Sequence, residues 1–340
     1  MINALIVQAA RSRASDIFVK PGYPVSVRDK NGKLKKKDVI PQRDDIQKFL
    51  NETIDRKSLL KDILHSFDTE YGEFDVSMTI RDEEGAVRAR LNIFWTQDGI
   101  TLAIRPLYNE IPRMRELGLP LQFQNLRNVR EGLILFSGAT GSGKTTAMYS
   151  YVDAINQESC KHIITLDDPT EIILEEKESV VSQREIGRHS ESFASALRAA
   201  LREAPDIIMI GEMRDKETIR TALQAAETGH LVISTIHASD VKDCLSRILS
   251  YFPAEEHAEL RHELSASFTA IIGCRLLPKA GGGRVGAYAT LFKTLATTSI
   301  LRNGRLEELD NYMNRDGMQT MDMAIQSLKS RGLIDEIGGI

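Results

Sequence analysis

The chain has 340 residues, which is usually too long for a single hydrophobic core and predicts about two domains. Its 44 basic and 48 acidic residues give a net charge of −4, which argues against a general nucleic-acid binder. Cys160, Cys244 and Cys274 lie far apart and form no C-x-x-C pattern, so neither a disulfide framework nor a structural zinc site is indicated. No apolar run approaches the roughly 20 residues that span a bilayer, so we expect no direct membrane insertion.

The first hundred residues have an α+β pattern. Alternating or β-branched apolar residues predict strands at 17–19, 25–27, 73–80, 87–95 and 100–104. Helical spacing predicts one helical stretch at 44–64. Asn31-Gly32 is a hairpin signal between Val27 and Leu34. The lysines that follow are interpreted as a solvated hairpin strand, with a docking patch for an acidic partner as the alternative; they are Lys33, Lys35, Lys36 and Lys37.

Prolines interrupt the middle of the chain. Pro106, Pro112 and Pro120 disfavour regular structure and predict an interdomain linker at 106–120.

After the linker, short apolar strands alternate with helices. Strands are predicted at 133–136, 163–166, 207–210 and 231–236. One intervening helix is expected to begin at Ser190 or Ser192 and to end by Pro205, and the next to run from Asp215 to Thr228. Gly281–Gly283 predicts an edge hairpin between 271–277 and 285–291, and 299–333 is mostly helical in pattern. This alternation predicts a doubly wound sheet, with ligands at the carboxyl ends of its strands.

A phosphate-binding motif lies between the first of these strands and a helix predicted at 145–156. The segment Gly138-Ala139-Thr140-Gly141-Ser142-Gly143-Lys144-Thr145 matches the pattern G-x-x-x-x-G-K-[ST]. Its glycines let backbone N–H groups surround a polyphosphate, Lys144 is expected to reach the β- and γ-phosphates, and the Thr145 hydroxyl to hold Mg²⁺. Thr146 follows in the first helical turn, whose N-terminus attracts phosphate. The motif predicts a site for ATP and Mg²⁺.

Carboxylates follow two of the predicted strands. Asp168 and Glu171 come after the strand at 163–166, beside Asp167, and Glu212 comes after the strand at 207–210. Phosphoryl transfer to water needs a carboxylate that orients the water and others that hold Mg²⁺. The alternative is that Glu212 pairs with Arg214 and that Asp168 and Glu171 are turn residues.

His237 follows the strand at 231–236 and is a candidate for hydrogen bonding to a γ-phosphate, the alternative being an ordinary satisfied polar residue. Asp206 precedes its strand and is interpreted as structural, because it lies at the wrong end for the site.

Together these segments resemble the secretion-superfamily, or traffic, ATPases of type II and type IV secretion and type IV pili. The phosphate loop, Asp167-Asp168-Pro169, the segment 210–215 and the segment 228–237 occur in that family's order. The resemblance implies a PAS-like α+β domain at 1–105, the linker at 106–120, a RecA-like P-loop NTPase domain at 121–292 and a C-terminal helical region at 293–340. Gly317–Asp322 and the chain length resemble the pilus retraction branch.

The resemblance also implies roles for single residues. Glu212 would be the catalytic carboxylate, and Glu171 with Asp168 would assist the metal or the water. His230 and His237 would sense phosphate or couple it to the domain interface, and Arg90 and Arg105 would supply transition-state charge from the N-terminal domain. The alternative for Arg90 is a cross-strand ion pair. The family usually has Glu where Asp167 stands, and the shorter side chain favours roles for Asp168 and Glu171 over Asp167.

The main hypothesis is a cytoplasmic ATP-driven ring, implied to be a homohexamer. It would bind ATP between two domains and act on an inner-membrane platform protein, most closely in pilus retraction. Type IVB secretion or conjugative transfer is the near alternative. A DNA-translocating RecA-like motor and a non-hydrolysing nucleotide-gated scaffold are alternatives of other classes; no nucleic-acid partner is expected.

Overall fold

The computed structural model describes residues 1–29, 32–82, 85–107 and 110–335. It contains two compact units, one made of Met1–Glu110 with Pro169–Ile172 and the other of Ile111–Asp168 with Ile173–Ile340. Each unit has its own hydrophobic core. The predicted mixed α/β class is confirmed. Among the described residues, no helix is both long and apolar enough to cross a bilayer.

The first unit is built on a six-stranded antiparallel sheet in the order β3-β2-β1-β6-β5-β4. Its strands are β1 (Asp16–Val19), β2 (Ser26–Arg28), β3 (Leu34–Lys36), β4 (Glu73–Asp82), β5 (Gly85–Thr96) and β6 (Gly99–Leu107). All five strands predicted in this half are confirmed, the second starting one residue late. Of the turn between β4 and β5, residues 83 and 84 lie outside the described part of the chain.

The hairpin between β2 and β3 forms where the sequence predicted it. Val27 pairs with Lys35, and Arg28 pairs with Leu34. Gly32 adopts φ +81°, a conformation that favours glycine, although Asn31 itself is outside the described residues. β3 lies at the sheet edge and all of its residues are exposed, as expected for a solvated strand whose lysines discourage edge pairing.

Three helices cover this sheet: α1 (Ile2–Arg11), α2 (Arg43–Thr53) and α3 (Lys57–Thr69). The single helical stretch predicted at 44–64 is wrong, because Ile54 and Arg56 have extended backbones and divide it in two. Two separate helices can each turn an apolar side to the core, through Phe49 of α2 and Ile63 of α3. Sequence reasoning missed α1, although its apolar spacing was visible.

The segment predicted as a linker carries some regular structure. β6 continues through Pro106 to Leu107, and α4 (Met114–Leu117) forms one helical turn. α5 (Leu121–Gln124) and a 3₁₀ turn at Asn125–Asn128 follow, and these elements already belong to the second unit. The domain limits themselves stay a prediction.

The second unit contains a seven-stranded sheet in the order β13-β12-β7-β11-β10-β8-β9. Its strands are β7 (Gly132–Ser137), β8 (His162–Asp167), β9 (Val180–Glu185), β10 (Ile207–Ile210), β11 (Leu231–Ile236), β12 (Phe268–Pro278) and β13 (Arg284–Phe292). All neighbours pair in parallel except the β12–β13 hairpin. Every residue of β7, β10 and β11 is buried, as expected for central parallel strands.

Besides α4 and α5, the described helices of this unit are α6 (Lys144–Glu158), α7 (Phe193–Ala200), α8 (Lys216–Glu227), α9 (Val241–Leu249), α10 (His257–Ser267), α11 (Leu295–Asn303) and α12 (Met321–Ser330). Ser192 caps α7, as one of the two predicted serines. Pro205 does not end that helix, which stops at Ala200, before the left-handed turn at Ala204. α11 and α12 add Ile300, Met321 and other side chains to this unit's core. Residues 336–340 of the predicted C-terminal region lie outside the described chain.

The N-terminal cap of α8 makes a contribution to the stability of this unit that can be measured. The Asp215 carboxylate accepts hydrogen bonds from the Thr218 N–H at 2.8 Å and the Thr218 hydroxyl at 2.7 Å. Asp215→Ala leaves a helical N–H without a partner, so we expect the free energy of unfolding to fall by about 1 kcal/mol in denaturant titrations. Asp215→Asn keeps a capping oxygen and serves as the control. An Asn variant as unstable as the Ala variant would contradict the capping role.

Candidate active site

The phosphate-binding motif forms the loop between β7 and α6. Gly138, Gly141 and Gly143 all have positive φ, at +152°, +77° and +88°. A Cβ on Gly138 would lie 2.5 Å from the Cys274 carbonyl oxygen, so the backbone passes β12 too closely for any side chain. Cβ atoms on Gly141 and Gly143 would meet nothing within 4 Å, which leaves open space on the loop's other face. The loop therefore has the glycine conformations and the open space that a phosphate-binding loop needs.

Lys144 is the first residue of α6 and is buried within this loop. Its Nζ donates to the carbonyl oxygens of Gly138 at 2.7 Å and Ala139 at 2.9 Å. Burial lowers the pKa of Lys144 from its usual 10.5, while nearby Cys274 and Glu212 act in the opposite direction. The ammonium lies among carbonyl oxygens at the positive end of a helix, a position suited to binding phosphate.

The remaining motif residues lie around this lysine. Ala139, Thr140 and Gly141 are exposed, and Thr145 and Thr146 are half-buried in the first turn of α6. The hydroxyl oxygens of Ser137 and Ser142 are buried and have no hydrogen-bond partner in the described structure. Buried hydroxyls normally find partners, so these two fit a polar ligand in the loop.

Glu212 lies two residues after β10 and directly follows Gly211. Its side chain is 14% exposed, and Oε1 accepts a hydrogen bond from Nη2 of Arg214. Its Oε2 is buried, lies 3.5 Å from Nε2 of His237 and has no hydrogen-bond partner among the described residues. One carboxylate oxygen is thus held while the other can accept a hydrogen bond.

His237 comes directly after β11, the strand between β7 and β10. Partial burial lowers the pKa of His237 below its usual 6.5, and the charge of Lys144 lowers it further, whereas Glu212 raises it. At neutral pH the imidazole is therefore neutral, with one ring nitrogen that donates and one that accepts. The structure brings Lys144, Glu212 and His237 together, as the sequence predicted.

The acids after β8 are placed differently from one another. Asp167 is buried, and its Oδ2 accepts a 2.8 Å hydrogen bond from the Tyr149 hydroxyl on α6. Gly211 passes so close that a Cβ there would lie 3.1 Å from Asp167 Oδ1. Asp168 is exposed and acts electrostatically on Arg214. Asp167 therefore ties β8 to the helix of the phosphate loop, while Asp168 remains available to a metal.

Glu171 does not belong to the unit that contains the loop. It is exposed and lies in Pro169–Ile172, a part of the first unit. Its predicted role beside the metal or water stays a prediction.

His230 is not brought to the loop of its own unit. It precedes β11, whose first residue pairs with Gly132 at the start of β7, whereas the loop follows the end of β7. Its Nδ1 lies 3.1 Å from the Ala225 carbonyl oxygen, at the end of α8. A six-residue strand separates it from His237, about 20 Å along the sheet. His230 therefore lies away from the loop of its own unit, at the end of α8, and its role in sensing phosphate or coupling it to the domain interface stays a prediction.

Arg90 and Arg105 lie opposite each other on β5 and β6 of the first unit. Like charges in that position repel, and each arginine has an acidic partner. Arg90 Nη2 is 3.4 Å from Asp75, and Arg105 Nη2 is 2.9 Å from Asp16. The cross-strand ion pair considered for Arg90 is present, and a cavity of about 230 Å³ is bordered by these four residues together with Asn92, Ala103 and Ile104.

Sequence reasoning missed two side chains that organise the site. Arg214 was considered only as an ordinary partner of Glu212, and Tyr149 was not considered. The spacing of Glu212 and Arg214 about a buried Met213 was a usable signal for the first. No local signal predicts the bond between Tyr149 and Asp167, which comes from packing of α6 on the sheet.

The described residues contain no group of three or more His, Cys, Asp or Glu side chains placed to hold a metal ion. Mg²⁺ is commonly bound by one or two protein oxygens with substrate phosphates and waters. The Thr145 hydroxyl and the Asp168 carboxylate suit that chemistry.

Comparisons with known proteins agree with this geometry. The family model described as Type II/IV secretion system protein matches residues 1–283. The type IV pilus retraction ATPase PilT of Pseudomonas aeruginosa is 36% identical over 98% of this chain and 95% of its own length. A crystal structure of the pilus retraction motor PilT with bound ADP matches with a TM-score of 0.88 at 41% identity, covering 98% of this chain and 94% of that one.

A second solved structure, the ATPase DotB of Legionella pneumophila, matches with a TM-score of 0.81 at 27% identity, covering 98% of this chain and 93% of that one. Family match, near full-length relatives and site geometry lead to one conclusion. The chain belongs to the Type II/IV secretion system protein family and is a nucleotide-binding ATPase of that family.

Proposed function

We propose that this chain hydrolyses ATP with Mg²⁺ as a ring-shaped motor, a homohexamer, that drives type IV pilus retraction. The observation that carries the hydrolytic role is the Glu212 carboxylate, one oxygen held by Arg214 and the other without a hydrogen-bond partner in the described residues, in the site that contains Lys144. The near full-length similarity to a pilus retraction ATPase supports the physiological assignment.

The chain's own groups divide the work of hydrolysis. The loop N–H groups and Lys144 bind the β- and γ-phosphates, and Glu212 Oε2 orients the attacking water and accepts its proton. Neutral His237, 3.5 Å from that oxygen, would hydrogen-bond a γ-phosphate oxygen. Thr145 and Asp168 hold Mg²⁺, which when bound neutralises charge on the phosphate oxygens.

Arg90 and Arg105 supply further positive charge to the triphosphate in this proposal. Their side chains are 39% and 65% exposed, so solvent screens their present ion pairs and those pairs are weak. Replacement of an aspartate partner by a phosphate oxygen would therefore cost little free energy. Loss of the γ-phosphate would release the arginines and allow the conformational change that performs work.

The proposed partner is an inner-membrane platform protein, which would place the ring in the cytoplasm at the membrane surface. The role in pilus retraction is tested in a deletion strain of the organism that encodes the chain. We expect pili to assemble but not to retract, with rescue by the wild-type gene and not by Glu212→Gln.

Secretion is the second candidate, because the matching family includes type II and type IV secretion proteins. Normal retraction with loss of protein export or conjugative transfer in the same strain would favour it. The DNA-motor alternative predicts DNA binding that weakens steeply with salt, or ATP turnover raised by DNA. The scaffold alternative predicts nucleotide binding without turnover.

The first prediction about catalysis concerns Glu212. Glu212→Gln removes the proton acceptor but keeps the side chain's size, so we expect kcat to fall by about 10²- to 10⁴-fold with ATP affinity retained. Phosphate release and binding of a fluorescent ATP analogue measure the two effects. Glu217→Gln, an exposed acid on α8 that pairs with Arg198, is the matched control. Wild-type turnover in Glu212→Gln would exclude the assigned role.

The second prediction concerns the arginines. Arg90→Ala and Arg105→Ala should each lower kcat at least 10-fold, since such arginines contribute about 10³–10⁵ in other NTPases. Arg13→Ala removes another exposed, carboxylate-paired arginine of the same unit and should leave kcat unchanged. If Arg90→Ala and Arg105→Ala both hydrolysed ATP at the wild-type rate, the two arginines would have no part in the reaction.

The third prediction concerns the charge of His237 without nucleotide. We expect its NMR titration midpoint below pH 6.5, assigned by its absence in His237→Gln. Lys144→Met removes a repelling cation and should raise the midpoint, whereas Glu212→Gln removes an attracting anion and should lower it. Lys242→Met, which alters a lysine paired with Asp310, is the control. Shifts of the opposite sign would refute the proposed electrostatics.

A further inference from the structure

Arg214 holds the carboxylate on which the proposed hydrolysis depends. Its Nη2 donates to Glu212 Oε1, and this hydrogen bond raises the pKa of Arg214 above its usual value. The Glu212 side chain is 14% exposed, whereas that of Arg214 is 59% exposed. A carboxylate removed so far from water needs a partner, because burial of an unpaired charge is costly.

The backbone between these two residues is fixed on both sides. Met213 is buried, and its N–H donates to the Thr235 carbonyl oxygen of β11 at 3.2 Å. The Thr235 hydroxyl in turn donates to the Gly211 carbonyl oxygen at 2.6 Å. Asp215 is committed to the cap of α8. Because these anchors fix the main chain, the Glu212 side chain keeps its direction only through its own contacts.

Four charged or titratable groups influence Glu212, three of them directly and one through Arg214. Arg214 contacts Oε1, His237 lies 3.5 Å from Oε2, and Lys144 interacts electrostatically with the carboxylate. Asp168 acts on Arg214 and favours its positive charge. Without Arg214, Lys144 would remain as the cation that attracts the carboxylate, and the His237 imidazole, 3.5 Å from Oε2, would be a hydrogen-bond donor within reach. The carboxylate would then turn toward them.

We propose that Arg214 is a positioning residue for ATP hydrolysis: it holds Glu212 by Oε1 and so keeps Oε2 directed at the attacking water instead of paired with His237. This inference rests on the proposed role of Glu212. Arg214 contacts no reacting atom in this scheme, and its effect is exerted entirely through the orientation of one carboxylate.

The kinetic test compares Arg214→Ala and Arg214→Lys with the wild-type chain. A misplacement of about 1 Å can cost about 10²-fold in rate, so Arg214→Ala should lower kcat by about 10- to 100-fold with the ATP dissociation constant unchanged. Arg214→Lys keeps the charge and one donor and should recover part of the loss. Arg198→Ala breaks an exposed Arg–Glu pair elsewhere in the same unit and should change neither quantity.

A second readout needs no turnover. In Arg214→Ala the NMR midpoint of His237 should rise, because a repelling cation is gone and Glu212 turns toward the imidazole. In the Glu212→Gln background the same substitution should raise the midpoint much less, because only the lost repulsion remains. This double-mutant comparison isolates the movement of Glu212 from the charge of Arg214.

The outcomes separate this inference from the broader function. Absence of ATP turnover in the wild-type chain would overturn the proposed function itself. If the wild-type chain hydrolyses ATP normally, either of two results would overturn the positioning role alone. One is an Arg214→Ala variant as active as the wild type, and the other is an equal rise of the His237 midpoint in both backgrounds. If Arg214→Ala loses its cooperative thermal transition, Arg214→Gln replaces it, and the same two comparisons decide.

Discussion

Parallel pairing of four central strands is the constraint on which the site depends. β7, β11, β10 and β8 pair in register, so their carboxyl ends lie at the same edge of the sheet. The loop that contains Lys144, the carboxylate of Glu212 and the imidazole of His237 each follow one of these strands. A shift of register by one residue would turn the buried faces of these strands and separate the groups.

Close packing then fixes the positions of the segments that follow these strands. Gly138 passes the Cys274 carbonyl oxygen too closely for any side chain, and Gly211 passes Asp167 so closely that a Cβ there would make a tight contact. Asp167 binds the Tyr149 hydroxyl of α6, which connects the acid segment after β8 with the helix that starts at the phosphate loop. Asp167 therefore stabilises the arrangement, whereas Asp168, one residue later, is exposed and free of that structural role.

The charged side chains of the site are only partly neutralised by their partners, and they are poorly solvated. Lys144 is buried among carbonyl oxygens and its pKa is lowered, so its charge is well placed to interact with an added anion. His237 is kept neutral by burial and by that same lysine. Glu212, which interacts electrostatically with Lys144, is held instead by Arg214, a partner that lies two residues after it.

The sequence alone determined the class of fold, the phosphate loop and the strands that end at the site, because buried parallel strands and a glycine-rich loop leave strong local patterns. The cap at Asp215 and the hairpin around Gly32 were predictable for the same reason, since each depends on a few neighbouring residues. Tertiary structure decided the rest. It divided the helical stretch at 44–64, moved His230 to the opposite end of β11, assigned Asp167 to Tyr149 and gave Glu212 its two different oxygen environments. These outcomes depend on which distant residues come into contact, and no local pattern in the chain specifies such contacts.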